Sequence, residues 1–200
     1  MAVVFSNSRT KENLMRAFAG ESQARNRYTI AAEESWKKGF FALHEIFLFT
    51  ADQERAHAER FYEFLKSEAG SSVKIDGTYP IDHSESLVEL LNMAVQNERK
   101  EQESIYPTFA RIAAEEGFGE ISYVFSHIAE VEKIHGMRFE KLAEMLKNET
   151  YYECSKGQEW MCLNCGYILK GDKLPPVCQR ERGYFIPACM APYLGFGDCK

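Results

Sequence analysis

The sequence predicts an all-α four-helix bundle followed by a small cysteine-based metal module. Three observations carry this. Four long segments repeat apolar residues at helical spacing, and each also bears an acidic residue or a Glu-x-x-His pair. All six cysteines, Cys154, Cys162, Cys165, Cys178, Cys189 and Cys199, lie after residue 150. The expected boundary therefore falls near 150, with the bundle over 1–150 and the metal module over 151–200.

The first helix is expected from about Thr10 to Lys38, where Leu14, Phe18, Ala24, Tyr28 and Ala31 recur at three- and four-residue steps and Gly39 gives a stop. The second runs from about Phe41 to Glu68, with Ile46, Phe49, Phe61 and Leu65 on its apolar side. The segment 71–83, with Gly77, Pro80 and two serines at its start, reads as a long crossover. A third helix begins near Ser86, where Ser86-Leu87-Val88-Glu89 fits a capping box, and reaches about Glu116. Pro107 inside it should kink it or open one turn, because proline removes a backbone donor. After Gly117 and Gly119 a fourth helix runs from about Glu120 to Lys147. Four helices with one long crossover fit the ferritin-like arrangement. Beyond Thr150, Gly, Pro, Cys and aromatic residues replace the helical period, as in small folds held by metal.

Composition narrows the function. The 200 residues are 45% hydrophobic and 27% charged, enough for a packed core, and carry a net charge of -6. That balance argues against nucleic acid or an anionic membrane as partner. No apolar run approaches the ~18 residues of a spanning helix. Met1 to Arg9 has no basic start and does not read as a signal peptide, so the expected compartment is the cytoplasm. Grouped cysteines there bind metal more often than they pair.

The helices supply a ligand set. Glu21 stands on the first, Glu54 and His57 on the second, Glu98 and Glu101 on the third, Glu132 and His135 on the fourth. A three-residue step puts both members of a pair on one helical face. The two halves echo each other: Glu21 to Glu54 spans 54 − 21 = 33 residues and Glu98 to Glu132 spans 132 − 98 = 34. Such a repeat suits two pseudo-symmetric helix pairs around two metal ions. Carboxylates can bridge and neutralise the cations, imidazole suits iron, and buried carboxylates without a partner would be costly. By contrast Glu33, Glu34, Glu59, Glu63, Glu115 and Glu116 read as solvated faces, and His44, His83 and His127 as packing or surface residues. In the tail, Cys162-Leu163-Asn164-Cys165-Gly166-Tyr167 is a metal knuckle, and Pro175-Pro176-Val177-Cys178 starts a second.

The order Glu, Glu-x-x-His, Glu-x-x-Glu, Glu-x-x-His closely resembles the rubrerythrin family. So do Ala-Phe-Ala-Gly-Glu-Ser-Gln-Ala at 17–24, Tyr106-Pro107 with Phe109-Ala110, and Glu132-Lys-Ile-His135 before Arg138-Phe139. The resemblance implies two iron ions, with Glu54 and Glu132 bridging, Glu21 and Glu98 terminal, and His57, Glu101 and His135 completing the set. It implies that one iron exchanges Glu101 for His57 with redox state, and that Tyr28 and Tyr106 hydrogen-bond ligand carboxylates. The tail resembles the rubredoxin-like module of that family, which holds one iron on four thiolates. Here Cys162, Cys165 and Cys178 match, but Glu181 occupies the fourth position. Glu181 as an oxygen donor, a displaced Cys189 or Cys199 (less readily Cys154), or an altered site binding zinc or nothing all stay open.

The activity this implies is reduction of hydrogen peroxide to water, as an oxidative-stress peroxidase. Glu101, His57, Tyr28 and Tyr106 would act at the reacting centre. Electrons would enter through the cysteine site from a reductase or rubredoxin. A homodimer or larger assembly is expected, with or without exchange of helix pairs. The alternative is iron storage without peroxide turnover.

Overall fold

The computed structural model describes residues 3–152, 159–170 and 177–188. α1 (Arg9–Lys37) begins at Ser8, whose hydroxyl accepts from the Lys11 N–H at 3.0 Å. Glu116 completes that cap from the far end of the chain, accepting from the Arg9 and Thr10 N–H groups at 3.0 and 2.9 Å. The expectation of a solvated Glu116 is thereby corrected: its carboxylate meets orphan amides where the helix dipole favours an anion. Gly39, at φ 78°, ends α1, and the Phe40 N–H reaches back to the Ser35 carbonyl at 2.9 Å. α2 (Phe41–Phe64) stops four residues before its expected end, and Lys66–Glu68 form a separate 3₁₀ turn.

The crossover follows, without helix or strand from Ala69 to Ser86. It is fastened to the bundle by Arg16, whose guanidinium donates to Asp76 at 2.6 Å, and by Asp82, which accepts from Arg27 and, at 2.8 Å, from Asn97. α3 (Leu87–Lys100) starts at Ser86, which accepts from the Glu89 N–H at 3.3 Å. The return half of the box passes through Ser84: its hydroxyl donates to Glu89 at 2.5 Å and accepts from the Ser86 N–H. The expected single third helix is divided. Glu101–Ile105 form a π-helical turn, and α4 (Tyr106–Glu115) resumes with Pro107 in its first turn. The proline thus acts by widening the turn before it. α5 (Gly119–Lys147) is the last helix.

α1 packs along α2, and α5 along α3 and α4. Two apolar clusters fill the bundle. One centres on Tyr28, Phe47, Leu91 and Phe139, the other on Phe61, Tyr106 and Phe125. The acidic and histidine positions fall between these clusters on every helix.

In the tail, β1 (Glu159–Cys162) lies between β2 (Ile168–Lys170) and β3 (Phe185–Pro187), both antiparallel to it. Met161 and Ile186 reach the first apolar cluster of the bundle. Tyr184 stacks on Phe41 with ring centroids 4.4 Å apart, and the Arg182 guanidinium donates to the Tyr152 carbonyl at 3.1 Å. Contact is tightest at Gly183, where any Cβ would stand 1.9 Å from the Gly39 carbonyl oxygen.

Candidate metal centre

Each of α1, α2, α3 and α5 buries at least one ligand candidate fully. Glu21, Glu54, Glu98, Glu132 and His135 are all at most 1% exposed. They form two adjoining groups: Glu21, Glu54, His57 and Glu132, then Glu54, Glu98, Glu132 and His135. Glu54 and Glu132 belong to both. These are the two residues that the resemblance implied as bridging ligands.

The atoms converge as donors do around a common point. His135 Nδ1 lies 3.0 Å from Glu54 and 2.8 Å from Glu132, yet it makes no hydrogen bond. His57 Nδ1 lies 3.0 Å from Glu132 and 3.2 Å from Glu54. Glu21 Oε2, Glu54 Oε1, Glu98 Oε2 and both Glu132 oxygens also lack partners although buried. A protein interior satisfies nearly all such atoms, so this concentration of orphans fits cations rather than protein donors.

Electrostatics agree. Burial, then Glu132 and Glu54, pushes the Glu21 carboxyl well above the usual range. Burial and Glu54 raise Glu98 to about 8. Burial would raise Glu54 too, but His135 and His57 hold it low. Burial opposes charge on His57, and Glu132 and Glu54 overcome it to raise the imidazole to about 9. Without cations the cluster must therefore keep protons on several carboxyls.

The surrounding residues orient this set. Tyr28 donates to Glu98 Oε1 and Tyr106 to Glu21 Oε1, as the resemblance implied. Burial holds both phenols protonated, so both remain donors. Gln53 went unnoticed in the sequence. Its carbonyl oxygen faces His135 Nε2 at 3.1 Å and accepts from Arg138 at 3.2 Å. A proton on Nε2 leaves Nδ1 free toward the Glu54–Glu132 space. A glutamine next to a Glu-x-x-His carries no signal of its own in one sequence. Glu101 is not in either group; it lines a pocket beside Tyr106, while His57 occupies the cluster.

In the tail, Cys162, Cys165 and Cys178 form a third group, with Cys162 and Cys178 sulfurs 3.7 Å apart. The Cys162 N–H donates to the Tyr167 carbonyl, and Gly166, at φ 74°, closes the knuckle onto the Cys162 carbonyl at 2.8 Å. Burial raises the Cys162 thiol to about 11. Burial opposes ionisation of Cys178 as well, but the Arg180 backbone amide and the neighbouring Cys165 and Asn164 lower it to about 7. Glu181 is exposed and stands outside the group. Cys154, Cys189 and Cys199 lie outside the described residues.

The family model Rubrerythrin matches residues 12–143. Rubrerythrin of Clostridium perfringens is 40% identical over 182 residues, covering 89% of this chain and 93% of its own. The chain belongs to the rubrerythrin family. Rubrerythrin of Nitratidesulfovibrio vulgaris is 39% identical, covering 94% of this chain and 93% of its own. Among solved structures, fully reduced, all-ferrous nigerythrin superposes with a TM-score of 0.62 at 26% identity over 91% of this chain and 90% of its own. Symerythrin from Cyanophora paradoxa shares the fold at a TM-score of 0.59. For a rubrerythrin-family chain, the two carboxylate–histidine groups and the three-cysteine group fit a di-iron site plus a rubredoxin-like site. No helix among the described residues is long and apolar enough to cross a membrane.

Proposed function

We propose that this oxidoreductase reduces hydrogen peroxide to water at the bundle site. The observation that carries the reading is the pair of ligand groups sharing Glu54 and Glu132, in each of which one ligand atom per residue lies within 4.8 Å of the others, several of them without a hydrogen-bond partner. We assign Glu21, Glu54, His57, Glu98, Glu132 and His135 as ligands, with Glu101 as the alternate of His57. The reaction is H₂O₂ + 2 e⁻ + 2 H⁺ → 2 H₂O. Two irons held here would supply the two electrons and a Lewis-acid surface for developing oxide charge.

The protein's own residues do the rest. Tyr28 and Tyr106 fix Glu98 and Glu21 and stay protonated. Around the metal-free cluster, burial, then Glu98 and Glu132, push the Glu101 carboxyl well above the usual range. Glu101 stands on the pocket side, beside Tyr106, where its carboxyl can carry a proton to the leaving oxygen. Residues 151–200 serve as the electron-entry module, with Cys162, Cys165 and Cys178 holding one iron or zinc. A reductase or rubredoxin supplies the electrons, and a homodimer brings that module to a neighbouring bundle.

Anaerobic stopped-flow absorption tests this. The reduced, iron-loaded protein should be reoxidised within seconds by one equivalent of hydrogen peroxide, and Glu101→Ala should slow it about 10²-fold or more, the scale of a lost general acid. An unchanged spectrum over minutes would refute the reading. Iron storage would instead give hundreds of irons per chain.

A further inference from the structure

A cavity of about 440 Å³ opens beneath the crossover, on the outer side of α1 and the π-helical turn. Glu101 and Tyr106 form part of its lining. Tyr106 donates to Glu21, so one hydroxyl links the cavity wall to the metal cluster. Ile105 and Phe109 supply another part of the wall, and the exposed lining as a whole is mostly apolar. Tyr79 of the crossover closes the outer side, its ring 3.9 Å from where a Cβ on Gly20 would stand. Its hydroxyl donates to the Arg16 carbonyl at 3.3 Å. Arg16 also borders the cavity, but its guanidinium is committed to Asp76 and Glu12, so it does not make the space an anion site.

The space does not match the substrate of the reading above. A water molecule takes about 30 Å³ of liquid, and hydrogen peroxide, with one oxygen more, is of the same order. It is also polar over its whole surface and gains nothing from Ile105 and Phe109. A volume above about 300 Å³ with apolar walls and a few polar groups at one end is the form of a site for an organic molecule.

We infer that this cavity admits organic hydroperoxides, ROOH with an apolar R group. The R group lies against Ile105, Phe109 and Tyr79, and the O–O head faces Glu101 and Tyr106. The inference rests on the peroxidase reading. The balance is ROOH + 2 e⁻ + 2 H⁺ → ROH + H₂O. The O–O bond breaks, the alcohol and water leave, and the reductase or rubredoxin named above restores the two electrons. The two protons come from solvent, with Glu101 at the cavity wall beside the O–O head.

The test has two arms. In the first, the metal-free protein is titrated with 2-phenylpropan-2-ol and followed by NMR. The methyl signals of Ala17 and Ile105 should shift and saturate, and Thr108→Trp, which puts an indole at the exposed rim, should abolish the shift. In the second, the reduced iron-loaded protein is mixed with cumene hydroperoxide or with hydrogen peroxide. The wild-type rates should lie within about tenfold of each other. Thr108→Trp should lower the ratio of the cumene rate to the hydrogen peroxide rate at least tenfold. Ser104→Phe, at the same rim, serves if the first variant does not fold. Reaction with hydrogen peroxide but not with cumene hydroperoxide, no saturable shift, or an unchanged ratio in a folded variant would overturn the inference alone. Failure of hydrogen peroxide itself would instead overturn the peroxidase reading.

Discussion

Single side chains around the cluster fall into those that point at a common centre and those that hold them there. Gln53 and Tyr106 are of the second kind. Removing the Gln53 acceptor by Gln53→Leu frees the His135 ring to change tautomer, and ferrous affinity should fall roughly 10–100-fold by anaerobic titration. Tyr106→Phe strips Glu21 of its donor and should weaken iron binding on a similar scale. The buried charges also give the metal-free protein a pH dependence of defined sign. Glu98 has a folded value raised to about 8, so the native state keeps a proton that the unfolded chain has lost, and stability falls as pH rises toward 8. His57, raised to about 9, contributes stability fully below its unfolded value near 6.5 and loses it as pH rises through 9. Both act in one direction. The metal-free protein should melt roughly 5–10 °C lower at pH 9 than at pH 6.5 by calorimetry, and ferrous iron should abolish most of that difference. The sequence revealed the seven ligand candidates because their three-residue steps are visible in one chain. Gln53 was invisible because its role depends on α2 facing α5, which no spacing within a helix encodes.

Helices and turns show the same division between local and long-range causes. Gly39 and Ser86 end and begin helices by local chemistry, and both were legible. The Glu116 cap on α1 joins residues 107 positions apart in the chain and was not. Pro107 announced a disturbance, but only packing decides that it becomes a π turn at Glu101–Ile105 rather than a kink. That turn matters because it begins at Glu101, the residue left beside the cluster rather than in it. At the join between bundle and tail, Gly183 allows a backbone approach that no side chain permits. Gly183→Val should displace the β1–β3 module at a cost of about 1–3 kcal/mol. Limited proteolysis should then cleave the tail faster while far-UV circular dichroism of the bundle stays the same. Unchanged cleavage would show that the contact is not what seats the module.

Across the whole molecule, the bundle and the tail differ in how completely residues account for chemistry. The bundle places two apolar clusters above and below a polar layer, and the layer contains the ligand types that two irons require. The tail brings Cys162, Cys165 and Cys178 together and leaves Glu181 aside, so the proposed electron entry calls for a donor outside that group. In the proposed function Glu54 and Glu132 join two irons that react as a pair. Mössbauer spectroscopy of the ⁵⁷Fe-loaded, fully reduced protein, frozen after one equivalent of hydrogen peroxide, tests it most directly. Two ferrous ions per chain in the bundle should become ferric together, and Glu54→Ala with Glu132→Ala should leave only the cysteine-site iron. Oxidation of a single iron, or retention of both bundle irons in the double variant, would contradict it.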